Sequence, residues 1–419
     1  MTMSSDTSRA LIICAIFAAY VLSGGLSVPS LDFNAIWMAG RSVASGQFDQ
    51  IYPQTNGLFA LQSPESWNAQ LLEEGADGAI YPFIYPPLWA WIAQVLPKTT
   101  NLQTAVSVFL VVNTLALVGI AWLAWRIGDR TIPLWLHLAI VLAIFAFTSA
   151  GRQAIGNNQP QILLSLLVLI AIERTIARRA FVGGALMALA ASIKGLPLLY
   201  AVLWLFQGQW RAVIAFAFVG SLLAAISVVT MGWPLHETFL SLLGDIRQTY
   251  LILWLNITFD GMIGNLFFSH TTIPSYLAVV GEYPLKVALA APKPPAMAAL
   301  STGLALCAFA ACAMVMRRNP DDPLVWPLVL ILLSVSSPLA WNYHYLASFA
   351  FLPCLISRLG PKWGAICTAT VTLPQLSVVA GFVQDQDGLL EPYRVVLLIL
   401  MLIMAAAFAL AIRRGPPQT

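Results

Sequence analysis

The stretch Leu31-Asp32-Phe33-Asn34-Ala35-Ile36-Trp37-Met38-Ala39-Gly40-Arg41 places a carboxylate directly after the first long apolar run of the chain. It also opens the longest polar segment, which extends to about Phe83. The apolar run before it, Ala10 to Ser30, is close to the ~20 residues that a helix needs to cross the hydrocarbon core of a bilayer. The stretch therefore predicts a first membrane helix that brings Asp32 to the membrane boundary.

The composition is that of an integral membrane protein. Of the 419 residues, 59% are hydrophobic and 9% are charged, whereas an ordinary soluble chain is about 25% charged. The apolar runs recur along the chain without the period-2 alternation of barrel strands, so we expect the spans to be helices. The formal charge of +3 is scattered, with no basic block typical of nucleic-acid binding. We predict an all-α polytopic membrane protein with 1–419 as a single transmembrane domain.

The apolar runs predict twelve crossings. They are Ala10 to Ser30, Leu102 to Trp125, Ile132 to Thr148, Gln161 to Ile176, Ala180 to Ile193, Leu196 to Phe206, Ala212 to Met231, Pro295 to Met316, Leu324 to Leu339, Tyr345 to Ile356, Trp363 to Phe382 and Val395 to Ile412. The run Ile84 to Leu96 is short for a crossing, and we interpret it as a re-entrant or interface helix. We expect a helical hairpin bent at Lys194-Gly195-Leu196-Pro197.

Charge predicts the orientation of these spans. With the N-terminus in the cytoplasm, most of the Lys and Arg residues fall in short inner loops, as the positive-inside rule favours. Both termini are then cytoplasmic in the inner (plasma) membrane, and most acids lie outside. The long outer segments are 31–83, with short interfacial helices expected at Phe48 to Leu61 and Ser63 to Glu74, and 232–294. We expect any chemistry to face outward.

Asp32 is the first candidate for that chemistry. A partly buried carboxylate at the outer boundary can deprotonate a sugar hydroxyl, because burial raises its pKa toward the working range. The alternative is a helix N-cap, for which Asp is well suited. Arg41, nine residues on, is a candidate partner of a phosphate or an acid, or simply a helix-surface residue.

Two further stretches hold polar groups near the bilayer. Gly151-Arg152-Gln153-Ala154-Ile155-Gly156-Asn157-Asn158-Gln159 is a polar turn between two spans. In this turn Asn157 and Gln159 can hydrogen-bond sugar hydroxyls and Arg152 can meet a phosphate, although a plain loop is the alternative. Tyr85-Pro86-Pro87-Leu88 is most simply a helix start, because proline is tolerated in the first turn.

Three residues farther along complete the candidate set. Lys194 interrupts an apolar stretch, where a charge is costly, so it is a candidate for holding a lipid phosphate unless it snorkels to the interface. His344 lies in Ser337-Pro338-Leu339-Ala340-Trp341-Asn342-Tyr343-His344-Tyr345 and can pair with phosphate, shuttle a proton or be structural. Asn256, in the second long segment, lines a sugar pocket or belongs to a turn-rich loop.

No metal or cofactor is assigned. Asp385-Gln386-Asp387 has the spacing that holds a divalent metal on a nucleotide sugar in other proteins. Three residues match such a pattern by chance often, and Gly388 favours a turn. A base-driven transfer from a lipid phosphate can run on Arg and Lys alone.

Taken in this order, several short stretches of the chain resemble motifs of bacterial glycosyltransferase family 87. The members of this family are polyprenyl-phosphate-mannose-dependent mannosyltransferases with a GT-C fold. The resemblance rests on motifs that together span most of the chain: Asp32-Phe33 with Ala39-Gly40, Tyr85-Pro86-Pro87-Leu88, Gly156-Asn157-Asn158-Gln159, Ser192-Ile193-Lys194-Gly195-Leu196-Pro197, and Ser337-Pro338 with Trp341 and His344. It implies a GT-C-like bundle of about twelve helices. It also implies a polyprenyl-phosphate-linked sugar donor and a lipid-linked or extracytoplasmic glycan acceptor.

The resemblance further implies an inverting transfer in which Asp32 is the general base. The donor phosphate would be bound by Arg41, Arg152, Lys194 and His344, and the sugar or acceptor by Asn157, Gln159, Asn256, Tyr85 and Trp341. The chain departs from the family where Asn256-Ile257-Thr258 replaces Asn-Gln-Ser, and where Tyr343-His344 replaces paired histidines. The alternatives are a transporter or flippase of polyprenyl-linked sugars, and a non-catalytic subunit of an envelope-polysaccharide assembly.

Overall fold

The structure is a computed structural model that describes residues 5–25, 30–55, 57–64, 66–76, 78–268, 273–276, 278–280, 287–384 and 390–416. These residues form mainly helices, which are α1 (Ser5–Gly25), α2 (Leu31–Ala44), α3 (Ser66–Glu73), α4 (Pro87–Ala93), α5 (Val95–Thr99), α6 (Leu102–Ile127), α7 (Leu134–Phe147), α8 (Ser149–Gly156), α9 (Gln161–Ile176), α10 (Ala180–Ile193), α11 (Leu196–Leu203), α12 (Trp210–Met231), α13 (Trp233–Gln248), α14 (Phe259–Phe268), α15 (Pro295–Arg318), α16 (Val325–Val335), α17 (Leu346–Phe349), α18 (Cys354–Leu359), α19 (Pro361–Thr372), α20 (Ser377–Gln384) and α21 (Leu390–Arg414). The expectation of an all-α membrane protein is confirmed at this level.

Five of these helices are long and apolar enough to cross a membrane: α1, α6, α12, α15 and α21. A sixth candidate is the pair α8 and α9, which is bent by 111°. The count of twelve crossings is not confirmed among the described residues. Several predicted spans are short or broken helices instead. Proline is one cause, because it lacks the N–H that the helix needs.

Two of the predicted spans show this effect of proline. The predicted span Tyr345 to Ile356 is divided into α17 and α18, with Pro353 just before α18. The predicted span Trp363 to Phe382 is divided into α19 and α20 by a 3-10 turn that contains Pro374. Neither α18 nor α20 is long enough to cross a bilayer alone.

The first long segment, 31–83, has less helix than expected. Phe48–Gln50 is a single 3-10 turn where a helix to Leu61 was predicted, and Pro53 follows it after Ile51 and Tyr52. The helix predicted from Ser63 is α3, which begins at Ser66 after Pro64. The run Ile84 to Leu96 contains the short helix α4 and the start of α5, so it is not one continuous helix.

Five short strands complete the described fold, all in or next to the two long polar segments. They are β1 (Gly78–Ile80), β2 (Thr249–Ile252), β3 (Ile273–Tyr276), β4 (Ala278–Val280) and β5 (Val287–Pro292). β1 pairs antiparallel with β4, and the second sheet has the antiparallel order β2-β5-β3. The β1–β4 pair therefore joins the first polar segment to the second.

Small residues let the helices approach closely. A Cβ on Gly40 of α2 would lie 2.6 Å from the carbonyl of Ala93 in α4, and a Cβ on Gly184 of α10 would lie 2.1 Å from the Ala212 carbonyl of α12. Such contacts are typical of helices that pack through small residues in membranes. Gly40 in particular lets α2 lie within the protein, and almost all of its residues are buried.

Candidate active site

The start of α2 positions Asp32. Ser30 is the N-cap residue, so Asp32 is the second residue of the helix and the N-cap alternative does not describe its place. The N–H of Phe33 donates to the carbonyl of Asn157, at 3.4 Å, which ties the first turn of α2 to the turn after α8. A carboxylate in the first turn also interacts favourably with the helix dipole. The Asp32 side chain is thereby held in a buried position, with 9% of the residue exposed.

Asp32 lines a partly open pocket. Its enclosed volume is small, about 20 Å³, which is on the order of the space that one water molecule needs. Its lining residues are Asp32, Leu61, Tyr81, Pro82, Ile84, Asn157, Leu253, Leu255, Trp341 and Tyr343. Both long polar segments contribute to this wall, together with the turn after α8 and the turn before α17. The pocket offers one carboxylate among aromatic, aliphatic and amide groups.

The electrostatic environment makes Asp32 a weaker acid than usual. Burial raises the pKa of its carboxyl to about 6, while the positive charge of Lys194 and the amide of Gln159 act in the opposite direction. Oδ2 of Asp32 is buried and makes no hydrogen bond of standard geometry with any described residue. The carboxylate therefore has an acceptor atom available for a ligand, and a pKa suited to proton transfer near neutral pH.

Lys194 follows the last residue of α10. The helix ends there because Pro197, the second residue of α11, has no N–H to donate to the carbonyl of Ile193. Lys194 Nζ lies 3.4 Å from His344 Nε2, and 5.5 Å and 5.7 Å from the ring centroids of Tyr85 and Tyr343. Burial lowers the pKa of Lys194 to about 8, against the opposing effect of Asp32. The site thus contains a cation that is partly desolvated and close to the candidate base.

His344 lies in the 3-10 turn Asn342–Tyr345. Its Nδ1 accepts a hydrogen bond from the Trp341 N–H at 2.8 Å. Burial and the nearby Lys194 hold the pKa of His344 well below its ordinary value. The imidazole is therefore neutral near pH 7, and it contributes hydrogen-bonding capacity to the site instead of a second positive charge.

The turn after α8 brings Gln159 to the site. Asn158 has a left-handed φ of 50°, and its side chain donates to the Val106 carbonyl and accepts from Asn113. This anchor fixes the turn against α6, so Asn158 is structural. The neighbouring Gln159 is fully buried, and its Oε1 accepts a hydrogen bond from the Tyr85 hydroxyl at 3.0 Å. Of the two neighbours, Gln159 faces the candidate base.

Two tyrosines that were not predicted as site residues belong to this cluster. Tyr81 and Tyr343 line the pocket, and the negative charge of Asp32 adds to burial in raising the pKa of both phenols. Both remain protonated and can donate hydrogen bonds. Tyr81 lies four residues before the Tyr85-Pro86-Pro87-Leu88 motif, and Tyr343 directly precedes His344. Their proximity to Asp32 depends on contacts across more than 40 residues, which a local pattern does not reveal.

Asn256 lies beside the pocket but its side chain is used internally. Its Nδ2 donates to the Leu251 carbonyl, and its Oδ1 accepts from the Ala340 N–H and the Thr258 hydroxyl. Residues Asn256 and Trp341 also form an isolated antiparallel bridge. These bonds fasten the segment after β2 to the turn that carries His344, so Asn256 holds two walls of the site together.

The two candidate arginines lie apart from the Asp32 pocket. Arg41 is nine residues after Asp32 on α2, roughly 13 Å along the axis and on the opposite face. Its guanidinium pairs with Glu74 at 2.5 Å and with Glu73 at 3.7 Å. Arg152, on α8, is exposed, and none of its contacts to described residues is an ion pair. The structure thus brings Asp32, Lys194, His344, Gln159, Tyr85, Asn157 and Trp341 together, with neither Arg41 nor Arg152 in the pocket wall.

The class of protein follows from these features. The several apolar helices suggest a multi-pass membrane protein. A pocket among the described residues is lined by the buried Asp32, and the positive charge of Lys194, which contacts His344, acts on that carboxyl. Residues 83–291 match the model of glycosyltransferase family 87. The match covers just under half of the chain and makes that part similar to glycosyltransferases of this family. A search of curated proteins found no match.

The matched segment covers only part of the site. Tyr85, Arg152, Asn157, Gln159, Lys194 and Asn256 lie within residues 83–291, whereas Asp32, Arg41, Trp341 and His344 lie outside. Asp385 and Asp387, the residues of the possible metal motif, lie outside the described residues.

Proposed function

We propose that this protein is an inverting glycosyltransferase that moves a sugar from a polyprenyl-phosphate donor to a lipid-linked or extracytoplasmic acceptor, with Asp32 as general base. The resemblance to mannosyltransferases makes mannose the first sugar to test. In the reaction, an acceptor hydroxyl gives its proton to Asp32 and its oxygen forms a bond to the anomeric carbon. The bond from that carbon to the phosphate oxygen breaks, and the polyprenyl phosphate leaves.

The observation that carries this proposal is the free Oδ2 of Asp32 in the pocket wall. A buried carboxylate oxygen that makes no hydrogen bond of standard geometry with a described residue is unfavourable in a purely structural role. It is favourable in a base, which needs an empty acceptor site for the proton it removes. The raised pKa, about 6, keeps Asp32 mostly ionised at neutral pH and still basic enough to accept a proton.

Lys194 supports a phosphate as the leaving group. An ammonium that is partly desolvated stabilises developing negative charge more strongly than one in water. His344 is 3.4 Å from Lys194 Nζ and can add a hydrogen bond to a phosphate oxygen. Arg152 is exposed and has a guanidinium available for a second anionic group of the donor or acceptor.

A lipid-linked donor also fits a protein whose helices expose apolar side chains. Apolar residues with exposed side chains run along α12, including Phe218 at 65% and Val229 at 84%. A polyprenyl tail would lie against such surfaces within the bilayer. We place the protein in the plasma membrane with cytoplasmic termini and an extracytoplasmic site, on the basis of the distribution of Lys and Arg.

The test is transfer by the purified protein from a synthetic short-chain polyprenyl-phosphate mannose to extracted envelope lipid, with and without chelator. A nucleotide-linked mannose serves as the matched donor control. We expect mannosylated product from the lipid-linked donor only. Product from the nucleotide sugar alone would contradict the proposed donor, and binding of the donor without any transfer by the wild-type protein would favour a carrier.

A further inference from the structure

One wall of the Asp32 pocket is a short irregular segment. Residues 81–86 run from the end of β1 to the start of α4 and belong to no helix or strand. Tyr81, Pro82 and Ile84 of this segment line the pocket together with Asp32. This wall is therefore made by a piece of chain whose position regular secondary structure does not fix.

The main chain of this segment has little hydrogen bonding of its own. Pro82 and Pro86 have no N–H to donate. Within the described part of the chain, residues 82–85 make no hydrogen bond from main chain to main chain. The two prolines restrict the residues before them to extended conformations, which stiffens the segment without fixing where it lies. A buried main-chain carbonyl in this segment therefore needs a partner from a side chain.

Tyr52 supplies that partner. Its hydroxyl donates to the main-chain carbonyl of Tyr85 at 2.7 Å, and both residues are buried. The centroid of the Tyr52 ring lies 5.8 Å from that of Phe83 and 5.7 Å from that of Phe239 on α13, so two other rings hold the phenol in place. Tyr52 is not among the residues that line the pocket. It therefore acts on the wall from outside the pocket.

We propose that Tyr52 is a positioning residue for the acceptor, because it holds the wall of residues 81–84 at the separation from Asp32 that the acceptor needs. This inference rests on the proposed transfer reaction, in which the reacting hydroxyl of the acceptor lies at Asp32. The enclosed space of the pocket is only about 20 Å³. A hydroxyl that reaches Asp32 therefore also meets this wall, and a small displacement of the wall changes the fit.

The donor side of the site has a separate support. The Tyr85 hydroxyl donates to Gln159 Oε1 at 3.0 Å, and the centroid of the Tyr85 ring lies 5.5 Å from Lys194 Nζ. Neither contact involves Tyr52. Loss of the Tyr52 hydroxyl should therefore loosen the wall beside Asp32 and leave Lys194, the proposed contact of the donor phosphate, in place.

Tyr52→Phe removes the hydroxyl and keeps the ring between Phe83 and Phe239. Tyr393→Phe is the matched control, because Tyr393 is also buried and its hydroxyl also donates to a main-chain carbonyl, that of Pro374, at 2.9 Å. Neither Tyr393 nor Pro374 lines the pocket. The two variants lose the same kind of hydrogen bond, and only the bond from Tyr52 belongs to the pocket wall.

The experiment measures transfer from short-chain polyprenyl-phosphate mannose to extracted envelope lipid by wild type and both variants, with donor binding and thermal unfolding of each. We expect Tyr52→Phe to raise the KM for the acceptor lipid about fivefold, the effect of one lost hydrogen bond, and to leave the Kd for the donor unchanged. Tyr393→Phe should keep both constants at their wild-type values. Both variants should unfold at a lower temperature than wild type.

An acceptor KM in Tyr52→Phe equal to that of wild type would overturn the inference, and so would an equal rise in Tyr393→Phe or in the donor Kd. If Tyr52→Phe does not fold, Phe239→Leu decides, because it removes a ring packed against Tyr52 and should raise the acceptor KM in the same direction. No product from wild type would overturn the transfer reaction and this inference with it. An active wild type with an unaffected Tyr52→Phe would contradict only the role of Tyr52.

Discussion

Lys194 Nζ lies 3.4 Å from His344 Nε2, although 150 positions separate the two residues in the chain. The contact joins the end of α10 to the 3-10 turn before α17, and the charge of Asp32 also acts on Lys194. Burial favours the neutral form of each base, so the single positive charge of the pair belongs to Lys194 near pH 7. A lone cation next to one carboxylate is an arrangement that an anionic leaving group can complete.

The pH dependence of transfer should report Asp32. Because a base must be ionised, the rate should fall as pH decreases through the pKa of Asp32, which is about 6. An ordinary exposed aspartate would give an acid limb near pH ~4. The measurement is kcat/KM for the acceptor between pH 4.5 and 7.5 at saturating donor. A rate that stays constant down to pH 5 would contradict the raised pKa.

Replacing Lys194 should change both donor binding and the acid limb. In Lys194→Met the KM for the donor should rise about tenfold or more, because a charge-assisted contact to the phosphate is lost. The acid limb should also move to higher pH, since the positive charge of Lys194 lowers the pKa of Asp32. Lys98→Met, at an exposed lysine on α5, is the control. An unchanged acid limb in Lys194→Met would show that the charge of Lys194 does not affect the pKa of Asp32.

Ionisation of Asp32 should lower the free energy of unfolding of the protein. Its pKa is about 6 in the folded state and ~3.9 in an unfolded chain, so the ionised group destabilises the fold by up to about 3 kcal/mol above pH 6. The cost disappears as pH falls toward 4. Asp32→Asn should therefore raise the thermal midpoint at pH 7.5 but not at pH 4. A lower midpoint at pH 7.5 would show that the carboxylate stabilises the fold.

Asn256 should contribute to the stability of the fold and not to ligand binding. In Asn256→Ala the Leu251 carbonyl and the Ala340 N–H lose their partner, which should cost about 2–3 kcal/mol of stability because both groups are buried. Denaturant unfolding in detergent measures the loss. We expect the folded fraction that remains to keep a near-wild-type KM for the donor. A wild-type stability with a strongly raised KM would instead make Asn256 a ligand-binding residue.

Local patterns singled out several residues that lie together in the structure, but they predicted less of the helix layout. Asp32, Lys194 and Gln159, which were singled out as polar or charged groups near the bilayer, lie together in the structure. Charged and amide groups are unfavourable in such positions unless they serve one another or a ligand. Lys194 was also identified by the Gly195-Leu196-Pro197 break that follows it, which the structure places between α10 and α11.

The parts that could not be predicted depend on long-range contacts. Nothing near Arg41 in the sequence reveals its pairing with Glu74, which lies 33 residues away. Tyr81 and Tyr343 were not chosen, because aromatic residues are common at membrane interfaces and carry no local mark of a site. Hydropathy also overestimated the number of long helices, since apolar runs such as Tyr345 to Ile356 are broken within the fold.

The most direct test of Asp32 as the base is single-turnover transfer by Asp32→Asn. Asparagine keeps the size and polarity of the side chain but cannot accept the proton. We predict that the variant binds the polyprenyl-phosphate donor as wild type does and transfers its sugar at least about a hundredfold more slowly, the minimum contribution of a general base. A variant that binds the donor and transfers at the wild-type rate would contradict the assignment of Asp32.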